Sequence, residues 1–346
     1  MKKKIVILGS TGSIGQNTLK ILKKNKKDFE IVLLSTNKNI NKIYKQAKEF
    51  KVKNIIINDH KKFIQAKLKF KNTKIDIFNS FEKINKILYK KKIFYSMVSV
   101  SGLDGLKPTL QLTKYSNNLA VVNKESLICG WDLIKKRLKK YKTKFIPIDS
   151  EHFSIFSLLK SDETDKIKMI YITASGGPFI NIPKYKLKKI KTKDALKHPN
   201  WNMGRKISID SATLMNKMLE VIEAHKLFSI ELKKIDIVIH PESLVHAIIE
   251  FKNGLCKFIY HETTMLIPLA NAIFDKDVDI NDYLKPKKNT KNSISFQNLN
   301  FLKVEKERFP IIKLKNRINE YISTPIVINA ANEILVDQYL KEKISF

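Results

Sequence analysis

Cysteine is almost absent from this 346-residue chain, which has only Cys129 and Cys256. Two thiols cannot build a disulfide framework, and their spacing is not that of a Cys-ligated metal site, so a reducing, cytoplasmic setting is expected. Long apolar runs are missing as well, which leaves no candidate membrane span. Met1-Lys2-Lys3-Lys4 leads into only Ile5-Val6-Ile7-Leu8 before Gly9, too short for the apolar core of a signal peptide and better read as a first strand. Arginine is scarce, at four residues, although Lys and Arg together number 66 against 33 Asp and Glu, a formal net charge of +33. The lysines fall in scattered runs near 23–27, 89–92, 135–144, 184–193 and 286–291, without aromatic interleaving of the kind that stacks bases. Specific nucleic-acid binding is therefore not expected, because it calls for clustered cations, arginine forks and base-stacking rings. Together with many Asn and Ile residues, the lysine excess resembles a drift toward A/T-rich codons, and its residual effect is a general attraction for phosphorylated metabolites. Glycine and proline, at 10 each beside 43% apolar residues, exclude a fibrous or disordered chain and leave room for two or three globular domains.

From Lys3 to about Phe145, short apolar strands alternate with helical stretches. Strands are predicted at Lys4–Leu8, Glu30–Ser35, Asn54–Ile57, Ile93–Val98, Leu119–Val122 and Phe145–Ile148, and helices at Gln16–Asn25, Ile40–Phe50 and Trp131–Tyr141. Repeated βα units of this length make a Rossmann-like parallel sheet in an α/β protein, over residues 1–148. Beyond it the texture changes to a central α+β region over 149–283, with a long helix from Ala212 to Phe228 and strands at Ile235–Ile239, Leu244–Phe251 and Leu255–Tyr260. A Lys/Pro/Asn-rich linker is predicted at 284–300, and a short C-terminal helical region at 301–346 with a helix at Pro325–Lys343 whose apolar side needs partners.

Gly9-Ser10-Thr11-Gly12-Ser13-Ile14-Gly15 follows the first strand and opens the first helix. In that context a glycine turn lets backbone amides approach a pyrophosphate, so Thr11, Gly12, Ser13 and Ile14 are candidate cofactor contacts. The second strand ends in Ser35-Thr36-Asn37-Lys38-Asn39, with no carboxylate for ribose hydroxyls. Hydroxyls, amides and Lys38 suit a 2′-phosphate, which favours NADPH over NADH.

Asp210 to Glu220 gathers hydroxyl, amide, ammonium and carboxylate groups around one helix start. Asn216 and Glu220 are four apart and Lys217 and Glu220 three apart, so their side chains share a helix face, with an anion site near the N-terminus. Asp149-Ser150-Glu151-His152 follows a predicted strand, and in extended chain Asp149 and Glu151 point the same way, toward one divalent cation. Oxygen donors without a Cys/His cluster favour Mg²⁺ or Mn²⁺ over zinc. Ser175-Gly176-Gly177-Pro178 offers a hydroxyl and permissive backbone for a phosphate, and His198 to Gly204 reads as a lid carrying Trp201 and Met203.

In this order the segments GSTGSIG at 9–15, NKES at 123–126, DSEH at 149–152, SGGPF at 175–179, HPNWNMGRKISIDSATLMNK at 198–217 and INAANE at 328–333 closely resemble the 1-deoxy-D-xylulose 5-phosphate reductoisomerase family. The resemblance implies an NADPH- and Mg²⁺- or Mn²⁺-dependent oxidoreductase that isomerises and reduces 1-deoxy-D-xylulose 5-phosphate to 2-C-methyl-D-erythritol 4-phosphate for isoprenoid precursors, working as a homodimer. It implies cofactor contacts at Thr11, Gly12, Ser13, Ile14, Asn37, Lys38, Asn39, Asn123, Glu125 and Gly204. The metal would be held by Asp149, Glu151 and Glu220, which with Lys124 and His198 form the catalytic set. Substrate contacts would come from Lys124, Ser150, Ser175, His198, Ser211, Asn216 and Lys217, with Trp201 and Met203 covering them.

The chain also departs from the family pattern. Thr263-Thr264-Met265-Leu266 stands where Pro-Asp-Met-Arg is usual, so an acidic and a basic group are lost together, which is tolerable if they pair with each other. Asn37 replaces a usual glycine and is expected to imitate it in a left-handed backbone. The sequence stops soon after INAANE, where the family continues into further helices, and a stability deficit is the expectation. The rival readings are another NADP-dependent dehydrogenase, which needs neither DSEH nor the Asn216–Glu220 face, and a basic nucleic-acid binder.

Overall fold

A computed structural model describes residues 1–159, 164–201, 203–274, 278–284 and 299–346. Apart from residues 284, 299 and 300, the predicted linker at 284–300 lies outside the described residues. The chain folds as two compact units, Met1–Asp149 with Met265–Thr290, and Ser150–Thr264 with Lys291–Phe346. Among the described residues, no helix is long and apolar enough to cross a membrane.

The first unit is a seven-stranded sheet of β1 (Lys3–Leu8), β2 (Phe29–Thr36), β3 (Asn54–Ile57), β4 (Asp76–Phe78), β5 (Ile93–Val98), β6 (Ser116–Val121) and β7 (Lys144–Pro147). Every pairing is parallel, in the order β4-β3-β2-β1-β5-β6-β7. Helices cover both faces of such a sheet, which explains why Ile5, Val6, Ile7 and Leu8 are all fully buried rather than alternating. The helices are α1 (Ser13–Lys24), α2 (Ile40–Phe50), α3 (His60–Phe70), α4 (Ile84–Ile87), α5 (Leu106–Leu112) and α6 (Lys124–Tyr141). A further helix, Leu266–Phe274, packs on α1 with Phe274 edge-on to Phe29 at 5.6 Å between ring centroids. Leu266, in place of the family's usual basic residue, opens that helix as a buried apolar side chain. Strand order reverses between β1 and β5, and ligands of doubly wound sheets bind beyond the carboxyl ends of the strands at that switch point. The glycine turn after β1 stands there.

The second unit has a mixed five-stranded sheet of β8 (Ile167–Ala174), β9 (Ile235–Ile239), β10 (Val245–Phe251), β11 (Cys256–Tyr260) and β12 (Leu302–Lys303). The order is β11-β10-β8-β9-β12, with β8 and β9 parallel and the other pairs antiparallel. Its helices include α7 (Ser150–Leu158), α8 (Thr192–Ala195), α9 (Arg205–Ala212) and α10 (Met215–Phe228). Helix α7 packs on β10 and β11, α10 packs on β8 and β9, and the two helices touch.

Two local predictions are corrected here. The DSEH segment is not extended, because α7 begins at Ser150, so the alternation argument for Asp149 and Glu151 does not apply. The helix predicted from Ala212 starts later, as α10 at Met215, because Leu214, at a φ of 66°, stands as its N-cap and separates it from α9, which ends at Ala212. The C-terminal helix Thr324–Leu340 buries Val336 and Tyr339 against Phe179, Ala195, Ile209 and Ala212, while Ile326, Val327, Ile334 and Leu335 stay exposed.

Candidate active site

The nucleotide loop is held from beneath. Buried Ser10 donates through Oγ to the Gln46 Oε1 at 2.8 Å, and Gln46 Nε2 returns a bond to the Ser10 carbonyl at 2.9 Å. Gly9 N donates to Ser35 Oγ at 2.9 Å, which ties the turn to β2. Two glycines are required by contact: a Cβ on Gly9, whose φ is +79°, would meet the Ser99 carbonyl oxygen at 2.4 Å, and one on Gly15 would meet the Gly9 oxygen at 2.5 Å. Gly12 precedes α1 with no side-chain cap, so no capping side chain of the protein takes up the first amides of α1, the arrangement that suits an anion. Ser13 and Gly12 are exposed, Thr11 and Ile14 half-buried, and Thr11 Oγ1 lies 2.7 Å from Thr36 Oγ1 at the end of β2. Beyond it Asn37, Lys38 and Asn39 are exposed.

Three of the predicted cofactor contacts have other local roles. Asn37 is absent from the positive-φ positions, so no left-handed backbone is needed there and the family's glycine is not required for conformation. Asn39 caps α2 by accepting from Lys42 N at 3.0 Å. Asn123 caps α6 by accepting from Ser126 N at 2.7 Å, and both its side-chain N–H groups go to the Val100 and Gly102 carbonyls. Its side-chain donors are thus committed to the β5–α5 connection. Glu125 stands in the first turn of α6, where a carboxylate is favoured by the helix dipole. Gly204 precedes α9 in the second unit, and a Cβ there would touch nothing within 4 Å.

Lys124 and Asp149, both nearly buried, form an ion pair in the first unit. In the second unit, α10 is buried on nearly every side, including the carboxylates of Glu220 and Glu223. The predicted helix face is present: Asn216 Nδ2 donates to Glu220 Oε1 at 2.6 Å and Lys217 Nζ to Glu220 Oε2 at 2.8 Å. Lys217 Nζ also donates to Glu151 Oε1 at 2.8 Å, so its ammonium bridges two carboxylates that have oxygens within 4.8 Å of each other. Buried carboxylates this close need compensating positive charge. Ser150 Oγ donates to the other Glu151 oxygen at 2.7 Å. Asp149 precedes Glu151 by two residues, and chain geometry keeps their Cα atoms within about 7 Å. Oxygen-only donors suit Mg²⁺ or Mn²⁺.

A second group lies between the β8 end and α9. Ser175 Oγ accepts from Gly177 N at 3.1 Å and meets His198 Nε2 at 3.1 Å. His198 Nδ1 accepts from Asn200 N and Trp201 N, at 3.1 and 3.0 Å, so the proton of the neutral ring is on Nε2 and donates to Ser175. A Cβ on Gly177, at φ +69°, would lie 3.0 Å from the Ser211 carbonyl oxygen, which places the Ser175 turn against the end of α9. Ser175, His198 and Ser211 are thus gathered into one polar neighbourhood. Met203 and Trp201 are half-buried, with the Trp201 ring edge-on to His246 at 6.2 Å.

Burial, and then the charge of Lys217, push the His198 pKa down to about 4. A histidine depressed on folding contributes stability that is full above its unfolded pKa of about 6.5 and is lost as pH falls to about 4. The expected result is that unfolding midpoints of the wild type drop between pH 6.5 and 4 more steeply than those of His198→Gln, measured by urea titration. Parallel curves would contradict the buried neutral imidazole.

Other partners of the site were not evident from the sequence. His152 Nε2 lies 2.9 Å from the Glu220 carbonyl and its Nδ1 3.5 Å from Glu223 Oε2, so the DSEH histidine clamps α7 to α10. His246 Nδ1 is 3.9 Å from Glu151 Oε1, and its ring stacks on His261 at 3.8 Å between centroids. Burial, then His246, depress the His261 pKa to about 3. Asn332 of the INAANE segment donates to Asp210 Oδ1 at 2.8 Å, while Lys206 pairs with Oδ2 at 2.8 Å. A polar residue within an apolar strand was the available signal for His246. Nothing local marked the pairing of Asn332 with Asp210.

A glycine-cradled helix start at the switch point of a parallel sheet, joined in one chain to buried oxygen ligands and a polar serine–histidine turn, defines a pyridine-nucleotide-dependent oxidoreductase. Family comparison gives 1-deoxy-D-xylulose 5-phosphate reductoisomerase over residues 5–130, its C-terminal domain over 145–228, and the DXP reductoisomerase C-terminal domain over 262–346. The chain is 50% identical to the 1-deoxy-D-xylulose 5-phosphate reductoisomerase of Pelagibacter ubique (strain HTCC1062) over 99% of its own length and 88% of the relative's. It is 37% identical to that of Halothermothrix orenii, over 100% and 89%. Among solved structures, the Zymomonas mobilis enzyme in complex with NADPH superposes with a TM-score of 0.87 at 30% identity, over 100% of this chain and 88% of that one. A DOX-P reductoisomerase in complex with NADPH, fosmidomycin and magnesium matches with a TM-score of 0.87 at 31% identity, over 99% and 86%. The chain belongs to the 1-deoxy-D-xylulose 5-phosphate reductoisomerase family.

Proposed function

We propose that the chain isomerises and reduces 1-deoxy-D-xylulose 5-phosphate to 2-C-methyl-D-erythritol 4-phosphate, using NADPH and a divalent cation, in the synthesis of isoprenoid precursors. Kinship over nearly the whole chain at 50% identity carries this reading. The residue roles are our assignment. Glu151 and Glu220, with Asp149 two residues before Glu151 in the chain, would hold Mg²⁺ or Mn²⁺. When bound, the ion would lower the cost of charge on the substrate's carbonyl and adjacent hydroxyl oxygens, and NADPH would supply the hydride.

The remaining work falls to the chain's own groups. Asn216 and Lys217 orient Glu220 through its two oxygens. Ser150 fixes the second oxygen of Glu151. Ser175 accepts two hydrogen bonds from the protein, so its own hydroxyl hydrogen is available to a substrate oxygen. With Ser211 behind the same glycine turn, it would anchor the phosphate and hold the reacting end in place. His198, neutral at pH 7, orients Ser175. Lys124 is assigned to substrate contact and electrostatic support, with Trp201 and Met203 excluding water. A cytoplasmic location fits a chain with only two cysteines. A homodimer is proposed from the family resemblance, and edge strand β11, preceded by exposed Leu255 and carrying exposed Phe258, offers a surface for a second copy.

The test is NADPH oxidation by the purified chain given 1-deoxy-D-xylulose 5-phosphate and Mg²⁺ or Mn²⁺. Oxidation that disappears with chelator and returns with metal is the expected outcome. No oxidation by folded protein would reject the reading.

A further inference from the structure

Lysine is so common in this chain that a single exposed lysine says little, but three of them meet in one cavity of the first unit. The cavity, about 540 Å³, is lined by Lys38, Asn39, Ile40 and Asn41 from the turn between β2 and α2, and by Lys62, Gln65 and Lys69 from α3. Positions 62, 65 and 69 fall on one face of α3 by helical spacing. Two of the three ammoniums are held by neutral groups: Lys62 Nζ donates to Gln65 Oε1 at 2.9 Å and Lys69 Nζ to Asn41 Oδ1. The carboxylate nearest to Lys38 is Asp59, at 3.8 Å, which also caps α3 by accepting from Lys62 N at 2.9 Å. Three ammoniums against one carboxylate leave a local charge of +2. A phosphate monoester carries about −1.5 to −2 near neutral pH, so the two match.

The place in the fold narrows the ligand. The cavity opens beside the carboxyl end of β2, next to Thr36, whose hydroxyl touches Thr11 of the glycine turn. In doubly wound sheets the end of the second strand receives the adenosine ribose, and a cation there accommodates the 2′-phosphate. We propose that Lys62 and Lys69 of α3, together with Lys38, seat the adenosine 2′-phosphate of NADPH, so that cofactor preference is set by α3 as well as by the turn after β2. This rests on the NADPH-dependent reading of the same unit.

The test compares dissociation constants for NADPH and NADH at one ionic strength, by quenching of protein fluorescence on the full-length chain. In Lys62→Gln/Lys69→Gln, NADPH binding weakens about tenfold while NADH binding changes by less than about twofold, the size expected when two charge-assisted contacts are lost. Lys67→Gln, on α3 but outside the cavity, leaves both constants unchanged, and Lys62→Arg/Lys69→Arg retains tight NADPH binding. Equal weakening of both cofactors, or of neither, overturns the proposal while leaving NADPH dependence intact. A wild-type chain that binds NADPH no more tightly than NADH removes the underlying reading as well.

Discussion

Glu220→Gln is expected to lower kcat/KM for metal-dependent NADPH oxidation by on the order of 10³-fold, because it removes charge where the proposed reaction needs a cation held rigidly. The substitution keeps the size of a side chain that is 1% exposed, so the packing of α10 survives. Asn216 can still donate to the remaining carbonyl oxygen, and Lys217 keeps Glu151 as a partner. Folding and NADPH affinity should therefore stay close to wild type while turnover collapses and the metal needed for half-activity rises. Steady-state kinetics over a metal titration check this. A variant within about tenfold of wild type would mean that Glu220 is a structural carboxylate and that the cation is held elsewhere.

Lys217→Met carries the largest expected effect on stability. The ammonium stands between Glu151 and Glu220, and removing one member of a buried ionic group leaves the others uncompensated, a loss of about 3–5 kcal/mol. That cost should appear in chelator and shrink with Mn²⁺ or Mg²⁺, since a cation bound only by the folded chain stabilises it by mass action. Urea unfolding with EDTA and with saturating metal distinguishes the cases. An equal loss in both buffers would show that metal and ammonium do not share the same carboxylates.

Features written locally in the sequence were the ones that could be read from it. The glycine turn, the parallel sheet and the Asn216, Lys217 and Glu220 face all depend on neighbours within a few residues, where helix and strand periodicities operate. Prediction failed where a local pattern met a tertiary constraint. Glu151 reaches its place from the first turn of α7 rather than from extended chain, and left-handed Leu214 moves the start of the predicted helix from Ala212 to Met215. Strand β8, between loop-like motifs, and the polar α3 carry no clear boundaries in the sequence. The long-range partners were illegible for a different reason. Asn332 meets Asp210 across 122 residues, and His246 stacks on His261 across a strand pairing, so only the fold brings their motifs together. The loss of the usual Asp and Arg at Thr264 and Leu266 became partly intelligible, since Leu266 is simply a buried apolar residue at a helix start.

The two cysteines have a practical consequence. Cys129 belongs to the first unit, in α6, and Cys256 to the second, on edge strand β11. Their environments differ: Cys256 is exposed and Cys129 half-buried, so a thiol reagent should reach Cys256 first wherever no second copy covers β11. Donor and acceptor dyes can thus be attached in sequence to the unaltered chain. Energy transfer between them would follow the separation of the nucleotide-binding and carboxylate-bearing bodies through a catalytic cycle, with wild-type protein serving as its own ruler.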